Sequence, residues 1–175
     1  KFEAVRDSAA ILLSQHGLSV APAKVTISTS GHAPGLRRWR KEMPDVNIAL
    51  SLHSPHAEKR TELIPINRKY PLTEILPLVD AIPTGKKRFV TYEYVMIKDF
   101  NDSDAEAHAT GALLQGKKAY INLIPFNSFP TSKYRRSSDD RILKFKSILD
   151  TYRIPTLIRT TKGDDVLAAC GQLKV

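Results

Sequence analysis

Phe89-Val90-Thr91-Tyr92-Glu93-Tyr94-Val95-Met96-Ile97 is the run that decides the fold class of this chain. β-Branched and aromatic residues dominate it, which predicts a β-strand over 89–97. A helical pattern follows, capped by Asp102 or Ser103 and extending to Leu114, and a second strand is predicted over 119–124. A strand, a helix and another strand of these lengths are typical of a βαβ unit with two parallel strands.

The same alternation continues on both sides of this unit. Further strands are predicted over 24–29, 46–52 and 156–160. Further helices are predicted over 2–16, 31–39, 57–63, 72–81, 138–152 and 166–169. We therefore expect a single α/β domain with about five parallel strands and helices between them.

Length and composition limit the class of protein. The 175 residues suffice for one domain with its own core. No run is long and apolar enough to span a membrane, and residues 1–6 do not resemble a signal peptide. The one cysteine, Cys170, excludes an internal disulfide framework, which indicates a reducing compartment and a cytoplasmic protein. Because the sequence begins without methionine inside a helical pattern, we expect a fragment of a longer protein.

The net charge of +9 is concentrated in short basic clusters. The clusters are Arg37-Arg38-Trp39-Arg40-Lys41, Arg68-Lys69-Tyr70, Lys86-Lys87-Arg88 and Lys133-Tyr134-Arg135-Arg136. Cations beside aromatic rings suit phosphate contact and base stacking, so we expect RNA binding, with Arg37, Arg38, Arg135 and Arg136 as candidates. One alternative is that the clusters are ordinary solvated surface. Another is that they bind an anionic lipid surface, but no amphipathic helix combines these charges with exposed Trp, Phe and Leu on its other face.

Polar residues follow the predicted strands, and the ligands of parallel α/β sheets bind where strands end. They are Ser28, Thr29, Ser30, Ser51, His53, Asn101, Asp102, Asn122 and Asn127. Ser51 and His53 are two residues apart and are expected on one face of an extended strand. Together these groups predict a site for a polar molecule bearing ribose, amino and carboxylate groups. The alternative is that the serines cap helices and the asparagines form turns.

Cys170 lies between alanines and a glycine near the end of the chain. It is interpreted either as a small buried hydrophobe or as a thiol that a bulky ligand can approach. No dinucleotide, Walker, hydrolase-elbow or zinc-protease motif occurs in the sequence. A nucleophile pair of Cys170 with His53 is a further hypothesis, although nothing specifies an oxyanion hole for it.

Several of these runs together resemble the RlmN/Cfr group of radical S-adenosylmethionine (SAM) RNA methyltransferases. The runs are residues 25–31 (Val25 to Gly31), 49–55 (Ala49 to Pro55), 65–67 (Pro65-Ile66-Asn67), 93–96 (Glu93 to Met96), 121–127 (Ile121 to Asn127), 163–165 (Gly163-Asp164-Asp165) and 168–173 (Ala168-Ala169-Cys170-Gly171-Gln172-Leu173). They occur in the family's order along nearly the whole chain. The likeness is closer to the RlmN branch, which methylates carbon 2 of adenosine in 23S rRNA and tRNA, than to the Cfr branch, which methylates carbon 8.

The resemblance implies a partial (β/α) barrel that holds SAM and a [4Fe-4S] cluster at the strand ends. By the same resemblance, Ser28, the segment Ser51-Leu52-His53 and Asn127 would contact SAM. Cys170 would carry the methyl group as an S-methylcysteine intermediate, and a second SAM would be cleaved to a radical that activates it. The implied partners are 23S rRNA, tRNA and an electron donor such as a flavodoxin-type reductase, with no membrane and a monomeric enzyme.

One departure from the family is plain in the sequence. The three-cysteine loop that ligates the cluster is absent, because Cys170 is the one cysteine of the chain. We therefore expect residues 1–175 to be the C-terminal portion of the core domain, with the cluster loop and an N-terminal accessory domain preceding Lys1. Alone, the chain is expected to be inactive and to hold no metal. The competing hypothesis is a non-catalytic basic α/β module that binds RNA or protein.

Overall fold

A computed structural model describes residues 1–83, 89–129 and 131–159. Across these residues, five strands form one parallel sheet whose spatial order follows the chain. The strands are β1 (Thr26–Thr29), β2 (Asn47–Ser51), β3 (Val90–Met96), β4 (Ala119–Pro125) and β5 (Thr156–Ile158). Adding each strand beside the previous one, without a reversal of order, is the topology of a (β/α) barrel rather than of a doubly wound sheet. The predicted α/β class and the five parallel strands are confirmed.

Six α-helices accompany the strands in the described part of the chain. They are α1 (Phe2–Leu13), α2 (Ala33–Glu42), α3 (Ala57–Leu63), α4 (Leu72–Asp80), α5 (Asp104–Leu114) and α6 (Asp139–Thr151). Short 3-10 turns occupy Pro22–Lys24 and Pro65–Arg68. As predicted, Ser103 caps α5: its hydroxyl accepts a hydrogen bond from the Glu106 amide. Ser138, predicted as the first residue of the last long helix, instead caps α6 by accepting from the Arg141 amide.

Helix α1 is shorter than its sequence pattern predicts. The predicted helix reaches His16, but the helix ends at Leu13, because Ser14 takes an extended backbone with ψ of 135°. The Ser14 hydroxyl accepts a hydrogen bond from the His16 amide at 3.2 Å, which offers the chain a local alternative to the helix. The predicted last turn over 166–169, with Cys170, lies outside the described residues.

The two faces of the sheet differ in character. The helix-covered face is apolar and carries Ile48, Leu50, Tyr92, Tyr94, Ile121 and Leu123, each at most 2% exposed. These side chains share one core with apolar residues of the helices, among them Leu36, Ile75, Phe145 and Leu149. The other face is more polar, because the strand register places Ser51 beside Glu93 and Glu93 beside Asn122 in one row. The sheet therefore presents an apolar face to the helices and a more polar face on its other side.

Candidate functional site

The predicted SAM residues reach one edge of the sheet. Ser28 is near the carboxyl end of β1, Ser51 ends β2, and Asn127 follows β4 by two residues. Because the strands are parallel, these carboxyl ends lie at the same edge. Ser28 is exposed, and Ser51 and Asn127 are half-buried. Leu52 is fully buried, and its backbone bonds within the protein: the amide donates to the Glu93 carbonyl and the carbonyl accepts from the Ser54 amide. We define this group as the edge site: Ser28, Ser51, Leu52, His53 and Asn127.

The alternative that Ser28 or Ser30 caps the following helix is wrong. The cap of α2 is His32, whose Nδ1 accepts a hydrogen bond from the Gly35 amide at 3.2 Å. The serine hydroxyls are therefore not needed for the helix.

His53 does not continue the strand that places Ser51. Strand β2 ends at Ser51, and His53 has a left-handed backbone with φ of 58°. The amides of Leu52 and His53 both donate to the carbonyl oxygen of Glu93, at 2.9 and 3.3 Å, so the chain turns there instead of advancing along β3. The prediction that Ser51 and His53 share one face of an extended strand is therefore wrong, and contacts from β3 place the imidazole instead.

Backbone groups of β3 hold the His53 ring. Its Nδ1 accepts a hydrogen bond from the Val95 amide at 3.2 Å, and the ring also bonds to the Glu93 backbone. Burial, followed by the positive charge of Arg60, lowers the pKa of His53 to about 4. The ring is therefore neutral at pH 7 and a weak base. This lowered pKa argues against a Cys170–His53 nucleophile pair, whose histidine must accept a proton.

We predict that His53 makes the stability of the protein depend on pH. An unfolded histidine has a pKa near 6.5, so between that value and about 4 the unfolded chain binds a proton that the folded chain does not. This contribution to stability is present above pH 6.5 and is lost as the pH falls toward 4. We expect a loss of about 2 kcal/mol between pH 7 and pH 5, measured by urea unfolding.

Two histidine variants identify the source of this dependence. Asparagine tolerates a left-handed backbone, so His53→Asn should fold and should flatten the pH dependence. The exposed His16→Asn variant is the control and should keep the wild-type slope. An unchanged slope in His53→Asn would contradict the assignment.

Asn101 and Asp102, also predicted at the strand ends, have internal roles. Asn101 is fully buried, and its amide donates to the carbonyl oxygens of His53 and Val95, both at 2.7 Å. Its Oδ1 accepts a hydrogen bond from the Ile97 amide at 2.8 Å. Asp102 accepts hydrogen bonds from the Ser137 hydroxyl and the Asp99 amide. These residues position the edge site from behind and do not line it.

Three further charged residues around the site were not among the predicted site residues. Glu93 lies on the inner face of β3, where burial raises the pKa of its carboxyl group and Asn122 donates a hydrogen bond to it at 3.0 Å. Glu106 is 2% exposed and accepts hydrogen bonds from Ser54 and Tyr94, with the Lys59 ammonium 2.7 Å away. Arg60 is fully buried behind the ends of β1 and β2. Each occurs in a run that reads as ordinary strand or helix, and burial alone distinguishes it.

The predicted RNA-binding arginines have different surroundings. Arg37 bonds to Glu74 at 2.6 Å, and Arg38 bonds to Glu42 and Glu3. Both belong to α2, which leads away from the carboxyl end of β1. Arg135 and Arg136 instead lie beside the end of β3, because the Arg135 carbonyl accepts the Lys98 amide and Arg136 pairs with Ile97. The placement favours Arg135 and Arg136 over Arg37 and Arg38. The basic cluster at 86–88 lies outside the described residues.

Comparison with known proteins connects this geometry to a group of enzymes. The chain is 45% identical over 173 residues to the dual-specificity RNA methyltransferase RlmN of Methylorubrum extorquens (strain PA1), covering 98% of the chain and 40% of that protein. It is 45% identical over 174 residues to RlmN of Rhodopseudomonas palustris (strain HaA2), covering 99% of the chain and 43% of that protein. The chain is similar to RlmN along almost its whole length. The predicted resemblance to this group is confirmed on its RlmN side.

A solved structure supports the same grouping. A radical SAM methyltransferase from Sphaerobacter thermophilus superposes with a TM-score of 0.89 at 39% identity, over 97% of the chain and 50% of that protein. A domain of pyruvate-formate lyase-activating enzyme from Bacteroides vulgatus ATCC 8482 has a TM-score of 0.67 at 13% identity, which shows the fold alone. No protein-family model matches the chain. The chain thus spans about 40% of the RlmN relatives and half of the solved methyltransferase.

The described residues were also searched for membrane-spanning helices and for metal sites. None of their helices is long and apolar enough to cross a bilayer. In the same ranges, no three His, Cys, Asp or Glu side chains come together as a metal site.

Proposed function

We propose that this chain is the C-terminal portion of a radical SAM enzyme that methylates carbon 2 of adenosine in 23S rRNA and tRNA. The observation that carries the proposal is the 45% identity to RlmN over 98% of the chain. The parallel sheet supports it, because the residues that correspond to the SAM ligands of the resemblance occupy one edge of that sheet.

The edge site fits SAM in its chemistry. The hydroxyls of Ser28 and Ser51, the carboxamide of Asn127 and the neutral imidazole of His53 match the polar groups of a ligand with ribose, amino and carboxylate functions. When bound, SAM supplies the methyl group and the source of the radical. The roles of this chain are to hold that ligand at the strand ends and to present Cys170 to it.

The iron–sulfur cluster does not fit the residues of this chain. Cys170 is its one cysteine, whereas such a cluster is held by several thiolates. The proposal therefore assigns the cluster loop, and an accessory N-terminal domain, to sequence that precedes this chain in the full-length protein. A flavodoxin-type electron donor, a monomeric state and a cytoplasmic location belong to the same proposal.

Product analysis tests the proposal. The full-length protein, with its cluster rebuilt, is incubated with SAM, a reductant and either 23S rRNA or tRNA, and the nucleosides are separated by mass spectrometry. We expect 2-methyladenosine in both RNAs. 8-Methyladenosine would assign the chain to the Cfr branch, and tight RNA binding with no methylated product would favour the non-catalytic basic module.

We predict that Arg135 and Arg136 contribute more to RNA affinity than Arg37 and Arg38. Arg135 and Arg136 lie at the carboxyl edge of the sheet, and of these two Arg136 pairs with Asp139 at 2.7 Å. Arg37 and Arg38 project from α2, and carboxylates engage both of them. The double change to glutamine at 135 and 136 should lower RNA affinity and reduce the slope of log K against log salt by about 1.4 for single-stranded RNA.

The matched control is the double change to glutamine at 37 and 38, which removes the same charge elsewhere. It should leave the salt slope close to wild type in a fluorescence titration at low and moderate salt. Equal effects of the two pairs would mean that the basic surface acts only through net charge.

A further inference from the structure

Arg60 is a buried cation that bonds only to neutral groups in the described part of the chain. Its side chain is fully buried, and its guanidinium donates to the carbonyl oxygens of Ser30 and Ser51 and to Oδ1 of Asn67. The described residues place no carboxylate within ion-pair distance of it. Burial lowers the pKa of Arg60 to about 10, so the group stays protonated at neutral pH. A buried charge without an ionic partner is unfavourable for stability, so the role of Arg60 is to be sought in the groups that it bonds, the carbonyls of Ser30 and Ser51.

The two carbonyls that Arg60 bonds belong to neighbouring strand ends. Ser51 is the last residue of β2, and Ser30 directly follows β1. One nitrogen, Nη2, donates to Ser30 at 2.9 Å and to Ser51 at 3.0 Å, so these oxygens are at most about 6 Å apart. The strands separate beyond this point and lose their ladder hydrogen bonds, and the guanidinium takes the place of those bonds. Arg60 thereby sets the spacing between the Ser28 and Ser51 segments of the edge site.

Asn67 fixes the guanidinium itself. Its Oδ1 accepts from Arg60 Nη1 at 2.5 Å, while its amide donates to the Ala57 carbonyl and the Thr61 hydroxyl. These bonds fix the orientation of the Asn67 carboxamide, and with it the direction in which the Arg60 guanidinium points. Gly31 shows how tight the surroundings are, because a Cβ added there would lie 2.5 Å from Ile75 Cδ1 and 3.5 Å from Arg60 Nη2.

We propose that Arg60 is the positioning residue for SAM, acting by holding the Ser28–Ser30 and Ser51–His53 segments at a fixed separation. The inference rests on the proposed function. Arg60 does not touch the ligand in this proposal, and Asn67 is part of the same device. Lysine cannot replace Arg60 in this role. Two guanidinium nitrogens of Arg60 bond to three separate oxygens, and a single ammonium nitrogen cannot occupy both of their positions.

The test measures SAM and RNA affinity separately in the full-length, cluster-loaded protein. Arg60→Lys should raise the dissociation constant of SAM about tenfold, because small displacements of ligand-binding groups have large effects. RNA affinity should stay within about twofold of wild type, and saturating SAM should restore most of kcat. The matched control is Arg153→Lys, an exposed arginine in the turn between α6 and β5 that belongs to neither the edge site nor the basic clusters, and it should change neither affinity.

A second variant covers the case in which Arg60→Lys does not fold. Asn67→Ala removes the acceptor of Nη1 but leaves the guanidinium, and it should weaken SAM binding about threefold. An unchanged SAM affinity in whichever variant is folded would overturn the inference, as would equal losses of SAM and RNA affinity. If the wild type itself does not bind SAM, the proposed function fails; a wild type that binds SAM and an Arg60→Lys variant that binds it equally well refute only the inference.

Discussion

Cys170→Ala should abolish RNA methylation by the full-length protein while leaving its fold intact. In the proposed function, this thiol accepts the methyl group before the RNA receives it, and the side chain of alanine is not nucleophilic. We expect at least about a thousandfold loss of 2-methyladenosine, which is the scale of removing an essential nucleophile. The measurement is product by mass spectrometry, with the cluster rebuilt in both proteins.

The melting temperature, recorded beside activity, separates this role from a structural one. Cys170 lies outside the described residues, so its sequence setting carries the argument: small neighbours surround it in Ala168-Ala169-Cys170-Gly171. A methyl carrier must be accessible to SAM, so in the proposed function the change to alanine removes little buried area and should leave the melting temperature near wild type. A buried structural cysteine would instead lower stability, and activity would fall only as far as folding did. Normal methylation by Cys170→Ala would refute the methyl-carrier role.

Asn101→Leu should lower the free energy of unfolding by about 3–5 kcal/mol. The carboxamide is completely buried and joins the carbonyl oxygens of His53 and Val95 to the amide of Ile97. Leucine has a similar size but leaves these three buried backbone groups without partners, each at about 1–3 kcal/mol. The change should also weaken SAM binding, because the turn at His53 loses its anchor. Urea unfolding measures the loss of stability.

Asn47→Leu is the matched control for this prediction. Its amide also bonds two backbone carbonyls, those of Pro22 and Ala23, but in an exposed setting where water can replace it. The control should cost no more than about 1 kcal/mol. A similar small loss in Asn101→Leu would mean that water enters the site and satisfies the carbonyls.

The strands, most helix limits and the edge site were predictable because they follow from local patterns. The run at 89–97 contains β3, and the serines before α5 and α6 cap those helices through bonds to residues three positions on. Parallel strands bring their polar ends to one edge, so Ser28, Ser51 and Asn127 could be grouped before any coordinates. Helix α1 was predicted too long because the periodicity of apolar residues contains no information about the hydrogen bond from the His16 amide to the Ser14 hydroxyl, which competes with the helix.

The sequence by itself therefore determined the α/β class, the similarity to RlmN and the residues that end the strands. The tertiary structure alone decided how those ends are held: His53 takes a left-handed conformation and its ring bonds to β3, Asn101 closes that turn, and Arg60 spans two strand ends. It also decided which arginines lie at the edge of the sheet. The physical reason is distance along the chain, since Asn101 and His53 are 48 residues apart and Arg60 and Ser30 are 30 apart. A periodic pattern reports a residue's own strand or helix, whereas burial and hydrogen-bond partners arise only when remote segments meet.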